Sequence, residues 1–67
     1  MFNFFLEYSE SASVDVQRFM EMVYAPNEYE LDYEMGTLII YTNVEPTYLE
    51  EDIYAETGRY AVNYGEV

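Results

Sequence analysis

Residues 28–34 read Glu-Tyr-Glu-Leu-Asp-Tyr-Glu, acid and apolar side chains alternating without a slip. Successive side chains on a β-strand point to opposite faces. The period of two therefore predicts a strand with Tyr29, Leu31 and Tyr33 on one side and Glu28, Glu30, Asp32 and Glu34 on the other. One face is fit for burial, and the other is a ladder of four carboxylates. Any fold this chain adopts has to pack against the tyrosine side and leave the ladder in water.

The segments around the ladder supply the packing. Residues 2–8, FNFFLEY, are rich in strand formers, with Phe2, Phe4, Leu6 and Tyr8 on one face and Asn3, Phe5 and Glu7 on the other. Ser11 or Ser13 is placed to cap a following helix, and Asp15 sits near its positive end. Val16, Phe19, Met20, Val23 and Tyr24 recur at helical spacing, so the helix runs to about Ala25 with Val16, Phe19, Met20 and Val23 in the core. Pro26 and Asn27 end it. After the ladder, Gly36 permits a tight turn into a β-branched strand, TLIIYTN, which makes residues 28–43 a hairpin. Thr47 and Glu50 have the spacing of a capping box opening a second, shorter helix with Leu49 and Ile53 inward and Gly58 at its end. RYAVNY, residues 59–64, reads as the last strand.

The order β-α-β-β-α-β, with right-handed crossovers, predicts an α+β domain over residues 1–67. Its compact form is the ferredoxin-like one: a four-stranded antiparallel sheet with two helices on one face. The alternative is an α+β meander with one true helix. In the ferredoxin-like form the first and third strands are central and the second and fourth are edges. The face away from the helices would then show Phe5, Ile39 and Tyr41 between the acidic ladder and Glu7.

Composition limits what such a domain can do. The chain has 67 residues with neither cysteine nor histidine, which excludes zinc sites of the usual kind, thiol nucleophiles and imidazole acid–base chemistry. Fourteen Asp and Glu face only Arg18 and Arg59, a net charge of −12. Acidity of this order often means disorder, but 51% hydrophobic and 19% aromatic residues, nine of them Tyr, predict a folded core. The amino-terminal MFNFFLEYSE has no basic stretch followed by a long apolar run, and no segment reaches the ~20 apolar residues of a membrane span. The expectation is a cytoplasmic protein. No enzyme is expected, because paired carboxylates need a pocket that separates their environments. No cofactor is expected either, and ELDYEMG lacks the oxygen spacing and closing Glu of a calcium loop.

A body this acidic is repelled by nucleic acid and by anionic membranes, so neither is an expected partner. Its natural partner is a basic protein surface, and clefts that bind nucleic acid are the commonest of these. Carboxylates on alternate strand residues repeat at ~6.7 Å, about every second phosphate of a duplex strand. The candidate phosphate surrogates are Glu28, Glu30, Asp32 and Glu34 on the strand and Glu50, Glu51, Asp52 and Glu56 on the second helix. Phe5, Tyr41, Tyr48 and Tyr54 are candidate anchors, since exposed Tyr offers contact area at little entropic cost. Tyr8 is also placed among the tyrosines that are hard to bury, whereas Tyr29, Tyr33, Tyr60 and Tyr64 are assigned to the core or its margin. Plainer readings exist. An acidic edge strand blocks edge-to-edge aggregation, and Glu50 and Glu51 in a helix's first turn favour its dipole. Like charges along the ladder also predict a fold that gains stability in added salt.

In size, charge, lack of cysteine and Tyr/Glu/Asp enrichment, the chain resembles the small acidic inhibitors of bacteriophages and mobile elements that act as DNA mimics. These include anti-restriction, uracil-DNA-glycosylase-inhibiting and some anti-CRISPR proteins. The resemblance carries no motif, and so no residue roles. It implies an inhibitor that fills a basic DNA- or guide-binding channel of a host defence complex and competes with substrate. A different class of function is a small adaptor that pairs its open sheet with a partner or a second copy, a homodimer included, through Phe5, Ile39 and Tyr41.

Overall fold

The alternating runs pair into one sheet. The computed structural model describes residues 1–67, in the order β1 (Phe4–Tyr8), α1 (Ser13–Val23), β2 (Tyr29–Glu34), β3 (Thr37–Thr42), α2 (Pro46–Thr57) and β4 (Asn63–Glu66). Short 3₁₀ turns occupy Glu10–Ala12 and Pro26–Glu28. The strands lie in the order β2-β3-β1-β4 with every neighbouring pair antiparallel. Each helix thus carries the chain over one intervening strand, which is the ferredoxin-like arrangement. α2 is regular and, at 12 residues against 11, the longer helix, so the one-helix meander is excluded and the expectation of a shorter second helix is corrected.

The core forms where the apolar parity of the central strands meets the two helices. Leu6 and Tyr8 of β1 and Leu38 and Ile40 of β3 are fully buried together with Val16 and Met20 of α1 and Leu49 and Ile53 of α2. Each of the aliphatic side chains and Met20 contributes about 1.5–3 kcal/mol by leaving water. All of these residues lie on one side of the sheet, so both helices do too. Thr42 shares that buried face, and its hydroxyl is satisfied: it donates to the Glu28 carbonyl at 3.1 Å and accepts from Val44 N–H at 3.2 Å. The β2–β3 hairpin closes through Met35 and Gly36, both at positive φ (55° and 86°), the signature of a type I′ turn whose twist matches the strands. Gly36 has a second reason to be glycine, since a Cβ there would stand 3.1 Å from Glu10 Oε2.

Element ends depart from the sequence expectations for identifiable reasons. Neither Ser11 nor Ser13 caps α1. Ser13 lies inside the helix and donates from Oγ to the Glu10 carbonyl at 2.8 Å, while Ala12 takes the cap position with no side-chain bond. α1 stops at Val23 because Tyr24 and Ala25 are extended ahead of Pro26, and Val23 is left 54% exposed rather than in the core. α2 begins at Pro46, preset in φ for a first helical turn, so Glu45 is the cap residue and the Thr47–Glu50 box does not form. β1 and β2 are shorter than residues 2–8 and 28–34. β4 is Asn63–Glu66 in place of residues 59–64, because the preceding segment is drawn into tertiary bonds: Ala61 N–H to Glu50 Oε2 at 3.1 Å and Val62 N–H to the Glu7 carbonyl at 2.8 Å. Gly58, at φ 73°, ends α2 as its sequence suggests.

Candidate functional site

Strand parity leaves one face of the sheet without a helix over it, and the register specifies what that face displays. Glu30 of β2 stands opposite Tyr41 of β3, which stands opposite Phe5 of β1, which stands opposite Gly65 of β4. The next outward row is Asp32, Ile39, Glu7 and Asn63, and Glu34 with Thr37 closes the series at the hairpin. Phe5, Ile39 and Tyr41 are half-buried by one another, while Glu30, Asp32 and Glu34 are exposed. The Phe5 ring leans across β4, its Cε1 only 3.5 Å from where a Cβ on Gly65 would be. The result is a flat apolar centre with carboxylates along one long side and Glu7 within it. This is the composition of a protein contact: a desolvating centre with a charged border.

Glu28 does not belong to the ladder. It sits in the Pro26–Glu28 turn, and its carboxylate reaches back to accept the Ala25 N–H at 2.8 Å. The open-face row is therefore Glu30, Asp32 and Glu34. Asp32 Oδ1 also accepts the Tyr33 N–H at 2.9 Å, which orients the middle carboxylate on the outer edge of the sheet.

The α2 carboxylates lie on the other side of the sheet. Glu50 and Glu51 fall beyond the first turn of the helix, where its dipole no longer accounts for them. Glu50 holds Ala61 N–H, and Asp52 accepts from the Tyr24 hydroxyl at 3.4 Å, so both have structural tasks. Burial first, then the Asp52 carboxylate, push the Tyr24 phenol above its ordinary range. Glu51 and Glu56 are exposed. The sheet thus separates the two acidic groups; they do not form two rows on one surface.

The tyrosines sort differently from the sequence assignment. Tyr8 is wholly buried, and its hydroxyl is the one buried side-chain polar atom with no hydrogen-bond partner. Tyr33, Tyr60 and Tyr64 are largely exposed rather than core, and only Tyr29 of that group packs against it. Tyr33 donates its hydroxyl to Gln17 Oε1. Tyr48 and Tyr54 are exposed on α2, and Tyr54 stacks on Tyr60 with ring centroids 4.2 Å apart. Of the expected anchors only Phe5 and Tyr41 share the open face with the ladder.

Both cations of the chain converge on one acid. Arg59 Nε and Nη2 donate to Asp15 Oδ2 at 3.3 and 3.2 Å, and Arg18 approaches Asp15 Oδ1 at 3.9 Å. Residues 15 and 59 are 44 apart in sequence, and no local pattern signals this cluster. It lies on the helix side, beside an open groove of ≈460 Å³ between α1 and α2 that Asp52 and Glu56 also line. The open face keeps no cation of its own. No three acidic side chains converge to hold a metal ion, and no helix is long and apolar enough to cross a membrane. No protein-family model, curated protein or solved structure matches this chain.

Proposed function

We propose that this chain is an inhibitor of the kind bacteriophages and mobile elements encode. It seats its open sheet face on the basic nucleic-acid-binding surface of a host defence or DNA-processing protein in the cytoplasm, and blocks the substrate by competition. The observation that carries this reading is the segregation of charge: Arg18 and Arg59 are both held at Asp15 behind the sheet. Four carboxylates, Glu7, Glu30, Asp32 and Glu34, meanwhile share the opposite face with Phe5, Ile39 and Tyr41 and have no basic side chain among them. A solvated face needs no apolar centre, and an aggregation guard needs acids only on the edge strand. An interface with a basic partner uses both. A standard interface takes ~800 Å² per partner, about a fifth of this chain's 4323 Å² surface, so one face suffices. The acidic border steers association, and the apolar centre, drained of water on contact, holds the complex.

The test is capture on the immobilised protein from a bacterial lysate, at low and at high salt, followed by challenge with nucleic acid. The reading requires a nucleic-acid-binding protein that is retained at low salt and released both by salt and by competing nucleic acid. Retention that survives high salt and ignores nucleic acid contradicts it, and transfers the weight to Phe5, Ile39 and Tyr41 as an adaptor surface.

A further inference from the structure

Of the fourteen acidic side chains, only Glu7, Asp15, Glu50 and Asp52 are half-buried, and the rest are exposed. Burial takes water from a carboxylate, and a carboxylate short of water needs a donor. Three of the four have one within the chain: Asp15 holds Arg59 and Arg18, Glu50 accepts the Ala61 N–H, and Asp52 accepts the Tyr24 hydroxyl. Glu7 has none. Its backbone carbonyl takes the Val62 N–H at 2.8 Å, but no donor meets its carboxylate, and both arginines are held at Asp15.

Glu7 stands on the central strand β1, two strand steps of ~4.8 Å from the ladder, with Ile39 opposite it on β3 and Asn63 opposite it on β4. Phe5 is its neighbour along β1 on the same face, and Tyr41, paired with Phe5, lies on the diagonal. The ladder carboxylates border the face, where water remains after contact. Glu7 lies where a partner drains it, and a neutral surface laid there would desolvate a charge with nothing in return. Building on the competitive reading above, we infer that the partner sets one arginine on Glu7, and that Glu7 is the residue by which the open face selects among basic surfaces. A guanidinium suits the place. Its planar fork bonds a carboxylate through two N–H groups, Asn63 offers a carboxamide oxygen from the next strand, and its weakly hydrated faces lie well against aromatic rings, here Phe5 and Tyr41. A lysine ammonium is more strongly hydrated and has no flat face. The ladder attracts any basic surface, whereas the centre accepts one with an arginine at this point.

The experiment measures the binding kinetics of the captured partner on the native chain, on Glu7→Gln and on Glu30→Gln/Asp32→Asn/Glu34→Gln. Glu7→Gln has no bond within the chain to lose, so it should melt no lower than the native protein. Its complex is expected to dissociate at least about thirtyfold faster, with association changed by no more than about threefold, while the ladder variant mainly associates more slowly. Phenylglyoxal, which modifies arginine and spares lysine, should mark one partner arginine that the native chain protects and that saturating Glu7→Gln leaves reactive. Dissociation of the Glu7→Gln complex as slow as the native one overturns the inference, and so does equal protection by both chains. With the ladder variant still impaired, either result leaves the competitive reading intact. Binding that neither set of substitutions alters removes the competitive reading itself.

Discussion

Asp32→Asn changes one charge and almost no volume, and its effect on stability follows from the geometry of the ladder. Asp32 lies between Glu30 and Glu34 on the exposed edge of β2, and Asn can still accept the Tyr33 N–H through Oδ1. Each neighbouring carboxylate stands ~6.7 Å away, where two like charges repel by about 0.6 kcal/mol at the dielectric of water. At physiological ionic strength, with a Debye length of ≈8 Å, screening leaves about 0.3 kcal/mol per pair, and at 0.01 M salt about 0.5. Two such pairs make the variant more stable by about 0.5 kcal/mol in physiological salt and about 1 kcal/mol in dilute buffer. For a domain of this size that is a melting temperature higher by about 2–4 °C and about 4–8 °C respectively. Thermal denaturation followed by circular dichroism at the two salt concentrations reads both. A gain that does not depend on salt, or no gain in dilute buffer, would show that the carboxylates do not act on one another as a row.

Other substitutions probe the packing that holds the face in place. Tyr8→Phe removes a buried hydroxyl with no partner, a group that costs ~1–3 kcal/mol when left unpaired, so urea denaturation should show a variant more stable by about 1 kcal/mol. A loss of that size instead would reveal a bond to the phenol. Burial, and after it the Glu50 carboxylate, hold the Tyr8 phenol above its ordinary value of 10.0. The folded state thus keeps a proton that the unfolded chain gives up, and stability is whole below pH ~10 and falls as the pH rises further. Tyr8→Phe should flatten that alkaline fall, with Tyr24 and Tyr60 supplying what slope remains, and equal slopes in native and variant would rule out Tyr8 as its source. Gly36→Ala meets both a φ of 86° and the Glu10 carboxylate, and should cost about 1–2 kcal/mol by the same denaturation measurement. Met35→Asn, at φ 55°, should gain about 0.5–1 kcal/mol; a destabilised variant would mean that the Met35 side chain makes contacts the turn depends on.

Parity is what made the face legible. Because strand side chains alternate, the placement of Phe5, Ile39, Tyr41, Glu30, Asp32 and Glu34 on one surface follows from the residue pattern even though the strands end at other residues than the pattern suggests. Tyr8 shares its parity with Leu6, and only its hydroxyl argued against burial; the core accepted the unpaired group. The helix ends were harder because local signals competed. Ser13 bonds back to Glu10 instead of capping, and Pro46 outweighs the Thr47 box one residue later. β4 has no clear local signal, because Asn63-Tyr64-Gly65-Glu66 has little strand propensity of its own and is ordered by pairing with β1. The division of the acids between two sides of the sheet, and the gathering of Arg18 and Arg59 at Asp15, depend on contacts across the whole chain and have no local signature.

The most direct test of the account is the affinity of the captured partner measured against salt, for the native chain and for Glu30→Gln/Asp32→Asn/Glu34→Gln. The ladder substitutions should stabilise the fold, so weaker binding cannot be blamed on unfolding. The variant should bind at least about tenfold more weakly at low salt, and its affinity should fall less steeply as salt rises. Equal affinity and equal salt dependence in the two proteins would mean that the row of carboxylates is not what the partner holds.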